Sequence, residues 1–148
     1  MKQEHSYGAV VFRKEGKQFF YLLLYRKAHL YYKESWDFPR GLLEKNETGK
    51  EDAIREIKEE TGITDLKFIS PFEEKTSWVY RKGKNLVHKE ATYYLAQTTT
   101  KEIVISVEHD SFKWCMFEEA LKLLSFGNTK TVLNKAHELL LTLPKQNF

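Results

Sequence analysis

An unbroken run of large apolar side chains, residues 19–24, constrains the fold more than any other feature of the sequence. A strand with one solvated face alternates apolar and polar residues, whereas a continuous run indicates a strand that is covered on both faces. The segment Tyr7–Arg13 is also rich in aromatic and aliphatic residues, and the charged residues 14–17, with Gly16 among them, separate it from Phe19–Arg26. Such a separator is typical of a turn. The two segments therefore predict a hairpin in a sheet that carries helices on both faces.

The clearest helix is predicted over Gly49–Thr61. Thr48 suits the N-cap, Glu51 three residues later completes a capping box, and Gly62 is suited to end the helix in a left-handed conformation. Three residues at helical spacing form an apolar stripe that we expect to pack against the sheet: Ala53, Ile54 and Ile57.

The remaining segments are assigned in the same way. Residues 28–34 are predicted as a loop, and the stretch Trp36–Gly41, which contains Pro39, as irregular. Further strands are predicted at Leu66–Phe72, Lys75–Arg81, Glu90–Gln97 and Phe112–Phe117. Two final helices are predicted at Glu118–Ser125 and Lys130–Leu143, with a break at Gly127 and Asn128. Together these elements predict a mixed α/β sandwich in one domain, residues 1–148.

Composition narrows the class of protein. Lys and Arg outnumber Asp and Glu by only 24 to 21, which does not indicate a general nucleic-acid surface but fits a small phosphorylated ligand. Cys115 is the only cysteine, so no internal disulfide can form and we expect a reducing, cytoplasmic location. No apolar run approaches the roughly 18 residues of a membrane span. The five histidines lie far apart, which argues against a zinc site.

Three carboxylates of the predicted helix carry the chemistry. Glu56, Glu59 and Glu60 occupy positions i, i+3 and i+4 and therefore project from one surface. Like charges at this spacing repel each other, and an oxygen-rich cluster suits Mg²⁺ or Mn²⁺. The alternative is a solvated charged face balanced by Lys50, Arg55 and Lys58.

The spacing of these acids from residues earlier in the chain favours the metal site. Gly41 is followed after five residues by Glu47, and Glu47 is followed after seven residues by the sequence Arg55-Glu56-Ile57-Lys58-Glu59-Glu60-Thr61-Gly62-Ile63. This pattern resembles the complete Nudix box, here residues 41–63. The resemblance implies a Nudix-type α/β/α sandwich with a mixed β-sheet. It also implies hydrolysis of a nucleoside diphosphate linked to another group.

The same resemblance implies roles for individual residues. Glu56, Glu59, Glu60 and the Gly41 carbonyl would be metal ligands, and Arg55 would pair with Glu47 to orient the loop on the helix. Bound metal would neutralise phosphate oxygens and activate a water molecule, while a carboxylate within hydrogen-bond reach takes the proton. Glu56, Glu59 and a more distant acid are all candidates for this base.

Outside the box, the chain is similar to the asymmetrical diadenosine tetraphosphate hydrolases. Four stretches carry that resemblance: Tyr7–Arg13, Trp36–Gly41, Tyr93–Ala96 and Glu108–Trp114. In that group an acid before the last strand assists the metal site, and Glu108 is the matching residue. The resemblance also suggests Tyr80 and Trp78 for adenine stacking, and His88 and Lys89 for phosphate contacts, although either aromatic could instead belong to the core. Where the group has lysine and histidine around the box glycine, this sequence has Arg40 and Leu42, and Arg40 keeps a positive charge for phosphate.

Two other functions fit the sequence. Similar domains remove pyrophosphate from RNA 5′ ends, and a catalytically inactive domain of this kind could act as a nucleotide-binding sensor. A pure binder has no need for a costly carboxylate cluster, so the sequence favours a hydrolase of dinucleoside polyphosphates that yields ATP and AMP from diadenosine tetraphosphate. We expect a small nucleotide as its substrate, and a monomer or homodimer.

Overall fold

The computed structural model describes residues 1–30, 33–144 and 148. Within them, seven strands form one sheet: β1 (Lys2–Glu15), β2 (Gln18–Arg26), β3 (Ser35–Asp37), β4 (Arg40–Leu42), β5 (Lys67–Lys82), β6 (Asn85–Gln97) and β7 (Ser111–Cys115). Three helices accompany the sheet: α1 (Gly49–Thr61), α2 (Phe117–Leu123) and α3 (Gly127–Thr142). In these described stretches no helix is both long and apolar enough to cross a membrane.

The sheet is mixed, as predicted. Its main path runs β3-β2-β1-β6-β5, with β4 paired to β1 and β7 paired to β2. Strands β1 and β6 run parallel, whereas the other pairs are antiparallel. The last residues of β1 pair with β2, but residues 6–8 of β1 pair with β4. Strands β1 and β2 therefore diverge, and the short strands β3 and β4 occupy the space between them.

Strand β2 is covered on both faces. Tyr21 and Leu23 are buried in a core cluster with α2 and α3, and Leu22 and Leu24 in a second cluster with Ile57 of α1. Burying a leucine side chain stabilises the fold by about 1.5–3 kcal/mol. The continuous apolar run is thus explained by helices on either side of the sheet, and the hairpin and the sandwich are confirmed.

Two strands that were predicted separately form a single strand in the structure. Leu66–Phe72 and Lys75–Arg81 are parts of one strand, β5, with a register shift between Phe68 and Glu73. The predicted interruption falls at Glu73 and Glu74, but both residues pair with β6. Pro71 is tolerated within the same strand because β5 lies at the edge of the sheet, where a residue without an N–H group can be accommodated.

Smaller corrections concern the connections. The stretch predicted as irregular forms β3 and β4 on either side of Phe38 and Pro39, because both ends find short pairing partners on β2 and β1. Ile54 is 44% exposed, since α1 instead buries residues four apart, Ala53, Ile57 and Thr61. The expected break at Gly127 is the first turn of α3. Of the predicted loop 28–34, residues 31 and 32 lie outside the described residues.

Candidate active site

Helix α1 has the ends that the sequence predicts. The Thr48 hydroxyl accepts a hydrogen bond from the Glu51 amide at 3.1 Å, and the Glu51 carboxylate accepts one from the Thr48 amide at 2.8 Å. Gly62 ends the helix at φ 79°, a conformation that glycine adopts without strain. Local sequence therefore determines where Glu56, Glu59 and Glu60 lie along the helix.

Gly41 brings the loop before α1 onto the helix. It pairs with Tyr7 of β1, and a Cβ atom at this position would overlap the carboxylate of Glu56. Only a glycine allows the backbone to approach this carboxylate so closely. The structure thus brings together two of the predicted metal ligands.

Arg55 is the centre of an acidic network. Its guanidinium donates hydrogen bonds to four carboxylates: Glu47 at 2.9 Å, Asp52 at 2.6 Å, Glu56 at 3.0 Å and Glu59 at 3.1 Å. It also donates to the Leu42 carbonyl at 3.3 Å, on the strand that holds Gly41. The predicted pair of Arg55 and Glu47 is confirmed. The arginine offsets repulsion among the acids and ties loop to helix.

Asp52 is a member of this network that sequence reasoning missed. Its side chain is 0% exposed, and its second oxygen, Oδ2, has no hydrogen-bond partner among the described residues. Burial raises the pKa of Asp52 to about 7, and outweighs the opposite effect of Arg55. The only sequence signal was its position one turn before Arg55. In a helix this rich in charge, that position does not distinguish a buried acid from a solvated one.

Glu60 differs from the other two helix acids in being buried. Only 3% of the residue is exposed, whereas the Glu59 side chain is 57% exposed. Glu60 Oε2 lies 3.3 Å from His109 Nδ1, without the alignment of a hydrogen bond, and Oε1 has no partner among the described residues. Burial, together with the charges of Glu56 and Glu108, raises the pKa of Glu60 to about 8. Glu108 therefore lies near this acid, beside His109, which the sequence analysis had not singled out.

The arrangement suits a divalent cation. Within the described part of the chain, no three acid, histidine or cysteine side chains already converge on one point, because Arg55 holds Glu56 and Glu59. The unpartnered Glu60 oxygen and the close approach of the Gly41 backbone to the Glu56 carboxylate are nevertheless what an additional cation would require. Carboxylate oxygens are the donors that Mg²⁺ and Mn²⁺ prefer.

A second group of predicted residues surrounds Trp78. The Arg40 guanidinium carbon lies 5.3 Å from the centre of the Trp78 ring, and Lys89 Nζ lies 5.9 Å from it. Asp37 holds Arg40 through a hydrogen bond of 3.1 Å. Burial, followed by the Arg40 charge, lowers the pKa of Lys89 to about 8. An aromatic ring with two cations close to it can bind a base together with its phosphates.

Arg40 precedes Gly41 on β4, so the two residues face opposite sides of the sheet. The Glu56 carboxylate meets Gly41 on one side, and Trp78 meets Arg40 on the other. The two groups of candidate residues are thus joined through a single short strand at the gap between β1 and β2.

The two remaining candidates, Tyr80 and His88, lie on different faces of the sheet. Alternation along β5 puts Tyr80 on the face of Trp78, as predicted, and the Tyr80 hydroxyl donates to Glu4 at 2.7 Å. His88 precedes Lys89 on β6 and lies on the other face, with its ring nitrogen 2.6 Å from Gln3 Oε1. The structure therefore groups Tyr80 with Trp78 but does not bring His88 to them.

Comparisons with known proteins agree with this geometry. Residues 2–135 match the family described as the NUDIX domain. A mouse protein named bis(5′-nucleosyl)-tetraphosphatase (asymmetrical) is 30% identical over 147 residues, which cover 93% of this chain and 95% of the mouse protein. A Caenorhabditis elegans Ap4A hydrolase, solved as a binary complex, is 29% identical with a TM-score of 0.83, and the match covers 95% of this chain and 99% of the C. elegans chain. An RNA pyrophosphohydrolase from Nitratiruptor is 41% identical over 49 residues, which cover 33% of this chain and 32% of that protein.

Proposed function

The chain belongs to the NUDIX domain family and is a hydrolase, and from that premise we propose that it cleaves dinucleoside polyphosphates, with diadenosine tetraphosphate giving ATP and AMP. One observation carries the substrate assignment. Arg40 and Lys89 both lie close to the Trp78 ring, on the opposite side of β4 from Gly41 and the Glu56 carboxylate. This arrangement suits a base joined to a phosphate chain that continues towards the carboxylates. The mouse relative named for this reaction aligns over nearly the whole chain.

Hydrolases of this family generally need a divalent metal, and for this chain we propose Mg²⁺, with Mn²⁺ as the alternative. The proposed ligands are the carboxylates of Glu56, Glu59, Glu60 and Glu108 and the carbonyl oxygen of Gly41. When bound, the ion supplies charge neutralisation at the phosphate oxygens and a lowered pKa for a water molecule.

The protein's own groups would then position and deprotonate the water. Arg55 keeps the loop at Leu42 against α1, so that Gly41 and Glu56 stay together. One carboxylate accepts the water proton, and the proposal leaves Glu56, Glu59 and Glu108 as the candidates. Misplacement of any of these groups by about 1 Å can lower the rate about a hundredfold.

The substrate would be held on the other face of β4. In the proposal, Trp78 or Tyr80 stacks on an adenine, which contributes about 1–3 kcal/mol by analogy with base–aromatic stacking in nucleic-acid complexes. Arg40 and Lys89 contact the phosphate chain next to that base. His88 faces away from this group and is left out of the site.

The proposal also includes the domain organisation, the oligomeric state and the location of the protein. We propose that residues 1–148 form one domain, with a monomer or a homodimer as the working state. The cytoplasm is the proposed location, in agreement with a free, buried thiol at Cys115.

A substrate panel tests the proposal. Purified protein with Mg²⁺ would be assayed by kcat/KM against diadenosine tetraphosphate, ADP-ribose, deoxynucleoside triphosphates and 5′-triphosphorylated RNA. We expect the first substrate to rank highest. A higher kcat/KM for the RNA would favour the second candidate, which the Nitratiruptor relative supports over only a third of the chain. Binding of nucleotides without turnover would instead indicate a sensor.

A further inference from the structure

Arg26, the last residue of β2, lies beside the loop that holds Glu108 and His109. The Asp110 amide donates to the Tyr25 carbonyl at 2.9 Å, and the Asp110 carboxylate accepts from the Lys27 amide at 2.7 Å. These two bonds attach the loop to the backbone on either side of Arg26. The position of this arginine relative to Glu108 and His109 is therefore well defined.

Arg26 is partly buried, yet its guanidinium lacks a partner within residues 1–30, 33–144 and 148. None of the residues that the structure describes gives it a side-chain hydrogen bond or an ion pair. The other arginines near the site are engaged, since Arg40 bonds to Asp37 and Arg55 bonds to Glu47. A guanidinium has five N–H donors, and arginines are rarely buried unless they are paired. Arg26 therefore has donors available for a ligand.

The charge of Arg26 affects the pKa values of residues in both groups of the site. Burial raises the pKa of Glu60 to about 8, and the Arg26 charge acts against that rise. Burial and then Arg26 lower the pKa of His109. Burial, the Arg40 charge and, more weakly, Arg26 lower the pKa of Lys89. Arg26 is thus close enough to influence the acid side and the cation side of the site at once.

We propose that Arg26 binds phosphate oxygens of the substrate between the carboxylates of α1 and the Trp78 group. A planar guanidinium presents a rigid pair of donors that matches two phosphate oxygens, whereas a lysine presents a compact point charge. The negative charge of a bound phosphate would supply the partner that Arg26 lacks. The choice of a dinucleoside polyphosphate rests on the proposed function, but the phosphate-binding role requires only a phosphoanhydride ligand.

Two variants and a matched control test this role. Arg26→Gln removes the charge, and Arg26→Lys keeps the charge but lacks the planar pair of guanidinium donors. Lys27→Gln removes an exposed neighbouring charge. The probe is methylenebisphosphonate, a non-hydrolysable diphosphate analogue, titrated calorimetrically into protein with saturating Mg²⁺. Because a hydrogen bond to a charged group contributes about 1.5–3 kcal/mol, Arg26→Gln should weaken binding about 10- to 100-fold. Arg26→Lys should recover part of the loss, and Lys27→Gln should bind as the wild type does.

Mn²⁺ affinity, measured by electron paramagnetic resonance without substrate, separates this role from a merely electrostatic one. The proposal predicts that Mn²⁺ affinity changes much less than bisphosphonate affinity in Arg26→Gln, that thermal stability is unchanged, and that KM for diadenosine tetraphosphate rises. Stronger Mn²⁺ binding with unchanged bisphosphonate binding would show that Arg26 only screens Glu60, and would overturn the proposal. If the wild type bound the bisphosphonate through Arg26 but did not cleave diadenosine tetraphosphate, the substrate assignment would fail and the role of Arg26 would stand.

Discussion

At the scale of single residues, the site is organised by one cation among several acids. Arg55 contacts Glu47, Asp52, Glu56 and Glu59, and so neutralises carboxylates that would otherwise repel one another. A buried acid that loses its partner keeps the full cost of its desolvation. The arginine therefore stabilises the contact between loop and helix, and in the proposed site it would also position the catalytic carboxylates.

Arg55→Ala should lower both activity and stability. Loss of the loop-to-helix contacts should reduce kcat by about a hundredfold, and the buried Asp52 carboxyl group, left without its partner, should reduce the free energy of unfolding by about 1–3 kcal/mol. Steady-state kinetics at low temperature and denaturant titration measure the two effects. Lys58→Ala, which removes an exposed cation from the same helix, is the control. Unchanged kinetics and unchanged stability in Arg55→Ala would show that the network contributes to neither activity nor stability.

The lowered pKa of Lys89 predicts that substrate binding depends on pH. Because burial lowers its pKa to about 8, the ammonium group loses its proton as the pH rises through that value. Attraction for phosphate is then lost, so KM for diadenosine tetraphosphate should rise above about pH 8. Lys89→Arg keeps its charge over this range and should remove the rise. An equal increase of KM in Lys89→Arg would assign the pH dependence to another group.

At the scale of elements, the end of α1 is attached to the end of β6 by Asp65. Its carboxylate accepts hydrogen bonds from the Thr99 amide at 2.8 Å, the Thr99 hydroxyl at 2.7 Å and the Thr100 hydroxyl at 2.9 Å, and it also contacts the Thr98 hydroxyl. Burial acts to raise the pKa of Asp65, but these donors outweigh it and lower the pKa. The attachment fixes the helix end near Glu60.

Asp65→Asn should destabilise the protein at neutral pH but not in strong acid. A group whose pKa is lowered on folding contributes stability above its unfolded pKa, 3.8 here, and loses that contribution as the pH falls. Because the side chain is exposed, we expect a loss of about 1 kcal/mol. Thermal unfolding across pH, with Glu102→Gln as a control carboxylate, measures it. A difference from wild type that grows as the pH falls would contradict this account.

Elements determined by local sequence could be predicted, and those determined by distant pairing could not. The cap residues Thr48, Glu51 and Gly62 define α1 by contacts within the helix ends. The continuity of β5 across Glu73 and Glu74 depends instead on their pairing with Tyr94 and Tyr93 of β6, which lie about twenty residues further along the chain.

The same limit applies to the site. The box pattern predicted Glu56, Glu59 and Glu60 as ligands and Glu47 as the partner of Arg55, because its spacing is contained in one loop and one helix. Asp52 and His109 were missed because the burial of a charged or polar side chain depends on what packs over it. Nothing in the order of residues distinguishes such a side chain from a solvated one.

At the scale of the whole molecule, the sheet order assembles the site from segments that are far apart in the chain. Parallel pairing of β1 with β6 puts Glu4 opposite Lys89, and antiparallel pairing with β4 puts Gly8 opposite Arg40. The acids of α1 and the Trp78 group therefore meet at the gap between β1 and β2. A substrate with a base at one end and a phosphate chain in the middle fits this two-sided arrangement.

The products formed from diadenosine tetraphosphate test the central claim most directly. Purified protein would be incubated with this substrate and Mg²⁺, and the nucleotides separated by anion-exchange chromatography at early times, with and without a chelator. The account predicts ATP and AMP in equal amounts, and no products once the metal is removed. Formation of ADP as the sole product, cleavage that persists in the chelator, or no cleavage at all would contradict it.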